Sequence, residues 1–272
     1  MKIRGCVCVL AAMVVLGSAA SAQAQIVNVL SKVSRQSDDG VSGELSLSSA
    51  YKKGNINLRQ FKAGALAHYK AGDHLVSWIA NGRHLKKGTD DSDPINRTFQ
   101  HIRYRYFSSE WFSAEGFVQY EYDEGRNLQL RTLLGGGPRF SAEVSEDLSV
   151  ALGMALMIER EIKEGKEIEL GDARQYALRS SNYVEVFYKW GETLGLQLTA
   201  FYQPLVYAHG DNSTKEVGTV GDDRRILLEP ALQMKANSYL GTKLAYRYAF
   251  NSRPFTDEDT DHAITSSLTL SF

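Results

Sequence analysis

Cysteine is nearly absent from this 272-residue chain: its two cysteines, Cys6 and Cys8, both lie within the first ten residues. Both also lie too early for a lipoprotein cleavage site, which would place a cysteine directly after the apolar part of a leader. The chain downstream of Cys8 therefore needs no disulfide and carries no thiol chemistry.

Long apolar runs are also missing. After the N-terminal leader, no segment approaches the roughly 18 consecutive apolar residues of a transmembrane helix, and the mean hydropathy is −0.30. A strand of a membrane barrel alternates lipid-facing and interior-facing residues, so a modest hydropathy is compatible with such a barrel. The composition therefore excludes a helical membrane protein and leaves a β-barrel open.

The chain has no marked excess of either charge, with 31 basic and 32 acidic residues. Without Lys2 and Arg4, which lie in the leader, 29 basic residues face 32 acidic ones and the net charge is −3. This near-balance gives no reason to expect a nucleic acid as a partner.

The N-terminus has the pattern of a secretory signal peptide. Lys2 and Arg4 precede an apolar run at residues 7–16, which is too short to span a bilayer as a helix. Small residues follow and offer two A-x-A cleavage sites that end at Ala22 and Ala24. We predict that residues 1–24 are a signal peptide, removed on export, rather than a retained anchor, and that residues 25–40 form a periplasmic N-terminal segment.

Apolar and polar residues alternate in many segments from Val41 onward. In "LSVALGMALMIE", for example, Leu148 and Leu152 share one parity, and Ser149 and Ala151 share the other. Many of these segments match the roughly 9–11 residues with which a tilted strand crosses a membrane. About twelve such segments occur, near residues 41–51, 57–69, 74–86, 98–108, 111–123, 129–143, 148–160, 181–190, 194–206, 224–236, 240–251 and 262–272.

The connections between these segments alternate in length. Short turns, such as residues 71–73 and 191–193, alternate with longer charged stretches such as residues 86–97 and 208–223. Short periplasmic turns and long external loops are typical of outer-membrane barrels. We therefore predict an all-β fold: an antiparallel transmembrane β-barrel of about 12 strands at residues 41–272, in a bacterial outer membrane. Aromatic residues near the strand ends favour this fold over a soluble periplasmic β-sandwich.

The last strand keeps its alternation to the final residue, since Ile264, Leu268, Leu270 and Phe272 share one parity. A strand that must pair with the first strand, and so remove an open sheet edge, explains this pattern. Outer-membrane proteins as a class end in such a strand with a terminal phenylalanine, which the barrel assembly machinery reads. We expect Phe272 to be this assembly signal and the machinery to be a partner, together with outer-membrane lipid and lipopolysaccharide.

The stretch "VQYEYDEGRNLQLRTLLGGGPRF" resembles a hairpin of the salt-induced outer membrane protein family, the YdiY-like group, whose domain is the domain of unknown function 481. The opening stretch "AYKKGNINLRQFKAGALAHYKAGDHLVSW" is also similar to that family. The resemblance implies an outer-membrane barrel without an established activity. The matching positions in the first stretch are Tyr120, Glu121, Asp123, Leu128, Leu130, Arg131, Gly135 and Gly137.

If the apolar parity faces lipid, the opposite parity gives the barrel interior a dense set of charges. Basic and acidic residues fall on neighbouring strands, where opposed unlike charges attract. The predicted lumen-lining residues are Arg103, Arg105, Glu115, Glu121, Arg131, Arg139, Glu159, Glu185, Arg225, Glu229, Lys243 and Arg247.

Three functions fit such an interior. The charges can neutralise one another and fill a structural, envelope-stress barrel, or they can line a small pore and tune its selectivity for small solutes. The third function is an outer-membrane hydrolase with a loop-located Asp/His site, for which His209 with Asp211 and Asp261 with His262 are the candidates. No histidine lies in a recognisable catalytic motif, so we expect a non-catalytic barrel.

Neither a metal site nor a cofactor is expected. The stretch "DEDTDH" begins like a calcium loop, but His262 occupies the glycine position and Leu268 the position of the bidentate glutamate. The run Gly135–Gly136–Gly137 is not followed by the lysine of a phosphate-binding loop.

Overall fold

A computed structural model describes residues 39–52, 58–88, 94–163, 173–210, 223–237, 240–252 and 259–271. Twelve antiparallel strands account for most of them. The strands are β1 (Gly40–Lys52), β2 (Leu58–Ala71), β3 (His74–Lys87), β4 (Ile95–Phe107), β5 (Phe112–Asp123), β6 (Leu128–Glu143), β7 (Leu148–Lys163), β8 (Ala173–Trp190), β9 (Leu194–Gly210), β10 (Arg224–Lys235), β11 (Leu240–Asn251) and β12 (Thr260–Ser271). Among these residues, no helix is long and apolar enough to cross a bilayer.

Each strand pairs with its neighbours along the chain, and β12 returns to β1 to close the barrel. The predicted all-β antiparallel barrel of about 12 strands is therefore confirmed. The connections β2–β3, β4–β5, β6–β7, β8–β9 and β10–β11, of two to four residues each, lie at one end of the barrel, which we call the short-turn end, although the four-residue β5–β6 connection at the opposite end is equally short. The opposite end, where the longer connections leave the strands, is called the loop end.

The two faces of the wall differ as the alternation predicts. On β7, the outward side chains from Leu152 to Ile158 are 50–57 % exposed, whereas the inward side chain of Glu159 is 2 % exposed. Leu and Ile at such exposure are unfavourable in water, because burial of apolar area stabilises a protein. A continuous outward apolar face around a closed barrel therefore fits a hydrocarbon environment.

Several aromatic side chains on the outer face lie near the short-turn end, and others, such as Phe61 and Tyr207, lie toward the loop end. Trp111 and Trp190 are 62 % and 61 % exposed, and the ring of Trp111 stacks on that of Phe140 with a centroid separation of 6.1 Å. His74 donates to or accepts from the hydroxyl of Tyr104 at 2.7 Å. Amphipathic rings in this position match the aromatic girdle of a membrane interface.

The β1–β12 seam is the shortest pairing in the wall. Within the described residues, β1 and β12 pair only at Glu44 with Ser271 and at Leu45 with Leu270. The flanking outward residues Leu47 and Ile264 are 69 % and 74 % exposed. The barrel is therefore closed at the short-turn end and nearly closed along the rest of the seam.

The largest difference from the predicted boundaries is in β8, which begins at Ala173 instead of residue 181. Residues 173–180 had the charges expected of a loop, but in a barrel the inner face of a strand accepts charges. β4 likewise begins at Ile95 and not at residue 98. The predicted signal peptide, most of the periplasmic segment and Phe272 lie outside the described residues.

Candidate functional site

The inner face of the short-turn half holds a compact polar group, which we call the short-turn cluster. Its carboxylate Glu115 on β5 accepts from Arg103 Nη1 at 2.6 Å and from Arg105 Nε at 2.8 Å. The alternation of β4 places Arg103 and Arg105 on the same face, and both are 4 % exposed. The cluster consists of Arg103, Arg105, Glu115, Arg139, Tyr183 and Glu185.

This cluster joins strands that are not neighbours. The Tyr183 hydroxyl on β8 donates to Glu115 Oε2 at 2.6 Å, across two intervening strands. Arg139 on β6 donates to the Tyr183 oxygen at 3.1 Å and to Glu185 Oε2 at 3.0 Å. Charge-assisted bonds of this kind are stronger than neutral ones, so they tie the wall together through its interior.

A second group, the loop-end network, is centred on Glu159 of β7, which is 2 % exposed. Its carboxylate accepts from Arg131 Nε at 3.0 Å, from Arg179 Nε at 3.1 Å and from Arg225 Nη1 at 2.9 Å. Arg225 lies on β10 and reaches Glu159 across two intervening strands. Three guanidinium groups on one carboxylate make Glu159 the hub of the interior.

The loop-end network continues to both sides of this hub. On one side, Arg179 makes a bidentate pair with Asp223 at 2.9 and 2.7 Å. On the other side, Arg131 Nη1 donates to Glu121 Oε2 at 3.3 Å, and Glu121 also accepts from Arg97 at 2.8 Å. The network consists of Arg97, Glu121, Asp123, Arg126, Arg131, Glu159, Glu161, Arg179, Asp223 and Arg225.

The three remaining predicted residues lie on β10 and β11, and one of them, Arg247, interacts electrostatically with Arg97 and Glu121 of the loop-end network. Lys243 Nζ on β11 is 3.8 Å from Glu229 Oε1 on β10, and both side chains are partly exposed. Arg247 follows on the same face of β11 and is half-buried. The structure thus distributes the twelve predicted lumen residues over the short-turn cluster, the loop-end network and this looser β10–β11 pair.

The half of the inner wall formed by β11, β12, β1 and β2 is different. Small inward side chains such as Ser46, Ala245 and Ala263 lie here between larger ones, which include Arg247 on β11 and Leu66 on β2. Two inward residues, Lys62 on β2 and Thr265 on β12, are exposed to solvent although they face the interior. Side chains therefore bridge one side of the interior, whereas on the other side Lys62 and Thr265 reach water and Leu66 and Ala245 are buried.

Apolar side chains also face the interior, which the parity argument missed. Leu66, Leu75, Ile79 and Phe99 pack together on β2–β4, each 4 % exposed or less. Their neighbour His101 lies between the rings of Phe99 and Phe117, at centroid separations of 6.2 and 5.7 Å. Alternation predicts that a residue faces inward, but it does not predict whether that residue is polar.

Several network members were not among the predicted residues. Arg179 and Asp223 belong to stretches interpreted as loops, as does Arg97, and Tyr183 was grouped with the strand but given no role. The signal for Arg179 was present, since "ARQYALRS" places Ala177 and Arg179 on one parity and Tyr176 on the other. If the alternating pattern of β8 had been followed back through this charged stretch, it would have placed Arg179 on the inner face.

Of the two predicted Asp/His pairs, only Asp261 with His262 lies within the described residues, and these two side chains do not form a site. Asp261 and His262 are consecutive residues of β12 and lie on opposite faces of that strand. The His262 ring faces outward and shares a hydrogen bond of 2.7 Å with the Tyr246 hydroxyl. The His209 side chain and Asp211 lie outside the described residues, as does Asp257, the first residue of the calcium-loop-like stretch. Within the described part of the chain, no group of three His, Cys, Asp or Glu residues could hold a metal ion.

The turn between β5 and β6 is fixed by Glu124, which lies outside the strands in a short 3-10 helix at Glu124–Arg126. Glu124 accepts from the Tyr122 hydroxyl at 2.5 Å and from the Asn96 amide at 2.5 Å. These two hydrogen bonds, the Tyr122 bond foremost, lower the pKa of the Glu124 carboxyl below its usual range. The charged carboxylate thus connects the β5–β6 turn to the start of β4.

Gly153 on β7 gives a first testable prediction, because a methyl group there would lie 2.1 Å from Cζ of Tyr183. In Gly153→Ala the Tyr183 ring must move, which disturbs its bonds to Glu115 and Arg139. We expect a loss of about 1–3 kcal/mol in the free energy of unfolding, measured by urea titration of the refolded protein. Gly82→Ala is the control, since nothing lies within 4 Å of a methyl group there. Equal effects of the two changes would contradict this packing.

An antiparallel barrel with an outward apolar face, aromatic residues near one rim and a charged interior defines the class of outer-membrane β-barrels. The fold is similar to that of the COG4313 outer membrane channel from Pseudomonas putida F1, with a TM-score of 0.55 and 11 % identity over 85 % of this chain and 95 % of that one. The translocator domain of the autotransporter NalP from Neisseria meningitidis matches with a TM-score of 0.49 and 10 % identity, over 85 % and 86 % of the two chains. At such identities the likeness concerns the fold alone.

No curated protein matches this chain. The family model described as "Protein of unknown function, DUF481" matches residues 45–272. The chain therefore belongs to this family, as the hairpin motif indicated.

Proposed function

We propose that the protein is a non-catalytic bacterial outer-membrane barrel that passes small solutes through a narrow polar channel along β11, β12, β1 and β2. One observation carries this proposal: inward-facing Lys62 and Thr265 are exposed to solvent, whereas Arg131 and Glu159 on the opposite side are 1 % and 2 % exposed. In this arrangement the loop-end network stiffens one half of the wall. The other half remains wide enough for water and small solutes.

The same proposal includes export and location. The leader at residues 1–24 and the outward apolar face support delivery to the outer membrane, where outer-membrane lipid and lipopolysaccharide surround the wall. Phe272 serves as the signal for the barrel assembly machinery. In the salt-induced barrel family that the hairpin motif resembles, such a channel would act in the envelope under osmotic stress.

Single-channel recording of the refolded protein in a planar bilayer at high salt tests the channel. We expect discrete conductance steps, and we expect Thr265→Trp to lower them severalfold, because the indole would fill the water-accessible half of the interior. Ser266→Trp is a matched control, since Ser266 is the next residue of β12 and faces outward. A silent membrane, with insertion confirmed separately, would overturn the channel.

The second candidate is a structural barrel that does not conduct. It is favoured by the contacts between strands that are not neighbours, such as Arg225 with Glu159 and Tyr183 with Glu115. If these bridges close the interior, the wild-type protein is silent and Arg225→Ala opens it to ions. Recordings of the two proteins under the same conditions therefore distinguish the two functions.

A further inference from the structure

Three cations lie side by side on the inner wall near the loop end. Lys62 of β2 is the direct cross-strand partner of Arg83 on β3, and Arg83 is the direct partner of Arg97 on β4. Directly paired residues of an antiparallel sheet point to the same face, here the interior. We call Lys62, Arg83 and Arg97 the basic row.

Such a row is unfavourable by itself, because like charges directly opposite one another destabilise a sheet. Adjacent strands lie about 4.8 Å apart, so the row places three positive charges within about 10 Å along the wall. Protein folds do not commonly hold an arrangement of this kind without a compensating partner. The question is therefore which negative groups balance it.

The nearby carboxylates Glu121 and Asp123 already pair with Arg97 of the row and with two arginines outside it. Arg97 pairs with Glu121 at 2.8 Å and with Asp123 at 3.4 Å. Arg126, in the 3-10 helix, also pairs with Glu121 and with Asp123, the latter at 3.0 Å. Glu121 additionally accepts from Arg131 at 3.3 Å. These two carboxylates thus face three guanidinium groups before Lys62 and Arg83 are counted.

Lys62 and Arg83 make no ion pair within the part of the chain that the structure describes. Arg83 Nε is moreover buried and has no hydrogen-bond partner there. A buried donor without a partner is destabilising, and native structures rarely contain one. Asp123 attracts Arg83 without pairing with it, so the basic row is only partly balanced and has an unused donor.

We propose that the basic row binds a multiply charged oxyanion, of the phosphate or polycarboxylate class, on the interior wall near the loop end. The guanidinium fork matches the oxygen geometry of phosphate and carboxylate, and a neighbouring ammonium adds a point charge. The exposed Lys62 gives the ligand access from the interior. Because the row faces inward, its ligand is a dissolved anion and not a lipid headgroup.

This site goes beyond the channel function, since it requires only a water-accessible interior and not a conducting one. A conducting barrel with such a site would present the anion with a resting place just inside the loop end. A silent barrel would hold the anion there as a structural ligand. Binding and conductance can therefore be measured separately and can fail separately.

Inorganic phosphate is the probe for this site. The refolded full chain in detergent is dialysed to equilibrium against labelled phosphate at low salt, and its thermal midpoint is compared in phosphate and in chloride at equal ionic strength. We expect saturable phosphate binding and a higher midpoint in phosphate. Lys62→Gln and Arg83→Gln should each weaken phosphate binding by about tenfold, the effect of losing one charge-assisted contact. Citrate in place of phosphate distinguishes a polycarboxylate ligand from a phosphate ligand.

Lys70→Gln is the matched control, because Lys70 shares the strand and the face of Lys62 but lies at the short-turn end. The Lys70→Gln variant should bind phosphate with the affinity of the wild-type protein. In chloride alone, Arg83→Gln should not lower the thermal midpoint, since it relieves repulsion within the row. Absence of saturable binding of both phosphate and citrate to the wild-type protein would overturn the site. An equal loss in Lys70→Gln would also overturn it, since it would indicate a diffuse charge effect. If Arg83→Gln does not refold, phosphate binding by Lys62→Gln, a change at an exposed position, still tests the site.

Discussion

Glutamine in place of Glu159 is expected to lower the free energy of unfolding by about 3–5 kcal/mol, the usual effect of removing one partner from a buried ion pair. Glu159 is the shared partner of Arg131, Arg179 and Arg225. Without its charge, the three guanidinium groups lose their shared partner, and Glu121, Glu161 and Asp223 compensate them only in part. Glutamine keeps the size and one acceptor oxygen of the side chain, so the effect reports the charge.

Heat modifiability on SDS gels provides the measurement, since a folded barrel migrates differently from the boiled chain. We expect the temperature at which the unboiled band disappears to fall clearly in Glu159→Gln. Glu143→Gln, at the exposed end of β6, should leave this temperature unchanged. The double variant Glu159→Gln with Arg225→Gln should recover part of the loss, because it removes one of the unbalanced cations. Equal behaviour of the Glu159 and Glu143 variants would show that the hub does not stabilise the fold.

The second large effect is expected on the opposite face of the same strand. Leu156 lies near the middle of β7, faces outward and is 57 % exposed. Leu156→Arg should destabilise the protein in lipid vesicles by about 2–4 kcal/mol, because arginine at the bilayer midplane is costly on a barrel surface. Urea titration of the vesicle-inserted protein measures this loss. Leu156→Phe keeps an apolar side chain and should change little.

The Leu156 experiment also tests the membrane assignment itself. On a water-facing surface, Leu156→Arg would be neutral or would improve solubility. A neutral result in vesicles would therefore mean that this part of the wall does not contact hydrocarbon. The Glu159 result would not depend on that outcome, since Glu159 faces the interior in either case.

The alternation of β7 was sufficient to predict both faces of that strand. Leu152 and Leu156 face outward, and Ala151 and Glu159 face inward, as their parity indicated. The start of β8 was missed, although Ala177 and Arg179 alternate with Tyr176 there. Arg179 resembles a loop residue, because an amphipathic pattern with a charged inner face is weaker evidence for a strand than one with an apolar inner face.

The identity of the ion pairs could not be predicted from sequence. Arg225 meets Glu159 over a separation of 66 residues, and Tyr183 meets Glu115 over 68. These pairs depend on the diameter and register of the closed barrel, which single-strand patterns do not specify. Directly paired neighbours such as Glu121 and Arg131 follow from strand order alone, once the hairpins are placed. The basic row follows from the same rule, but Arg97 was assigned to a loop.

The short β1–β12 seam has a consequence for the order in which the fold is built. Eleven of the twelve pairings join strands consecutive in the chain, so each closes only a local hairpin. The twelfth joins the two ends of the sheet and requires the whole sheet to curve before it gains any hydrogen bond. With two residue pairs among the described residues, instead of the sixteen that join β7 to β8, this last step gains little. We therefore expect closure to be the final event of folding and the seam to be the place where unfolding begins.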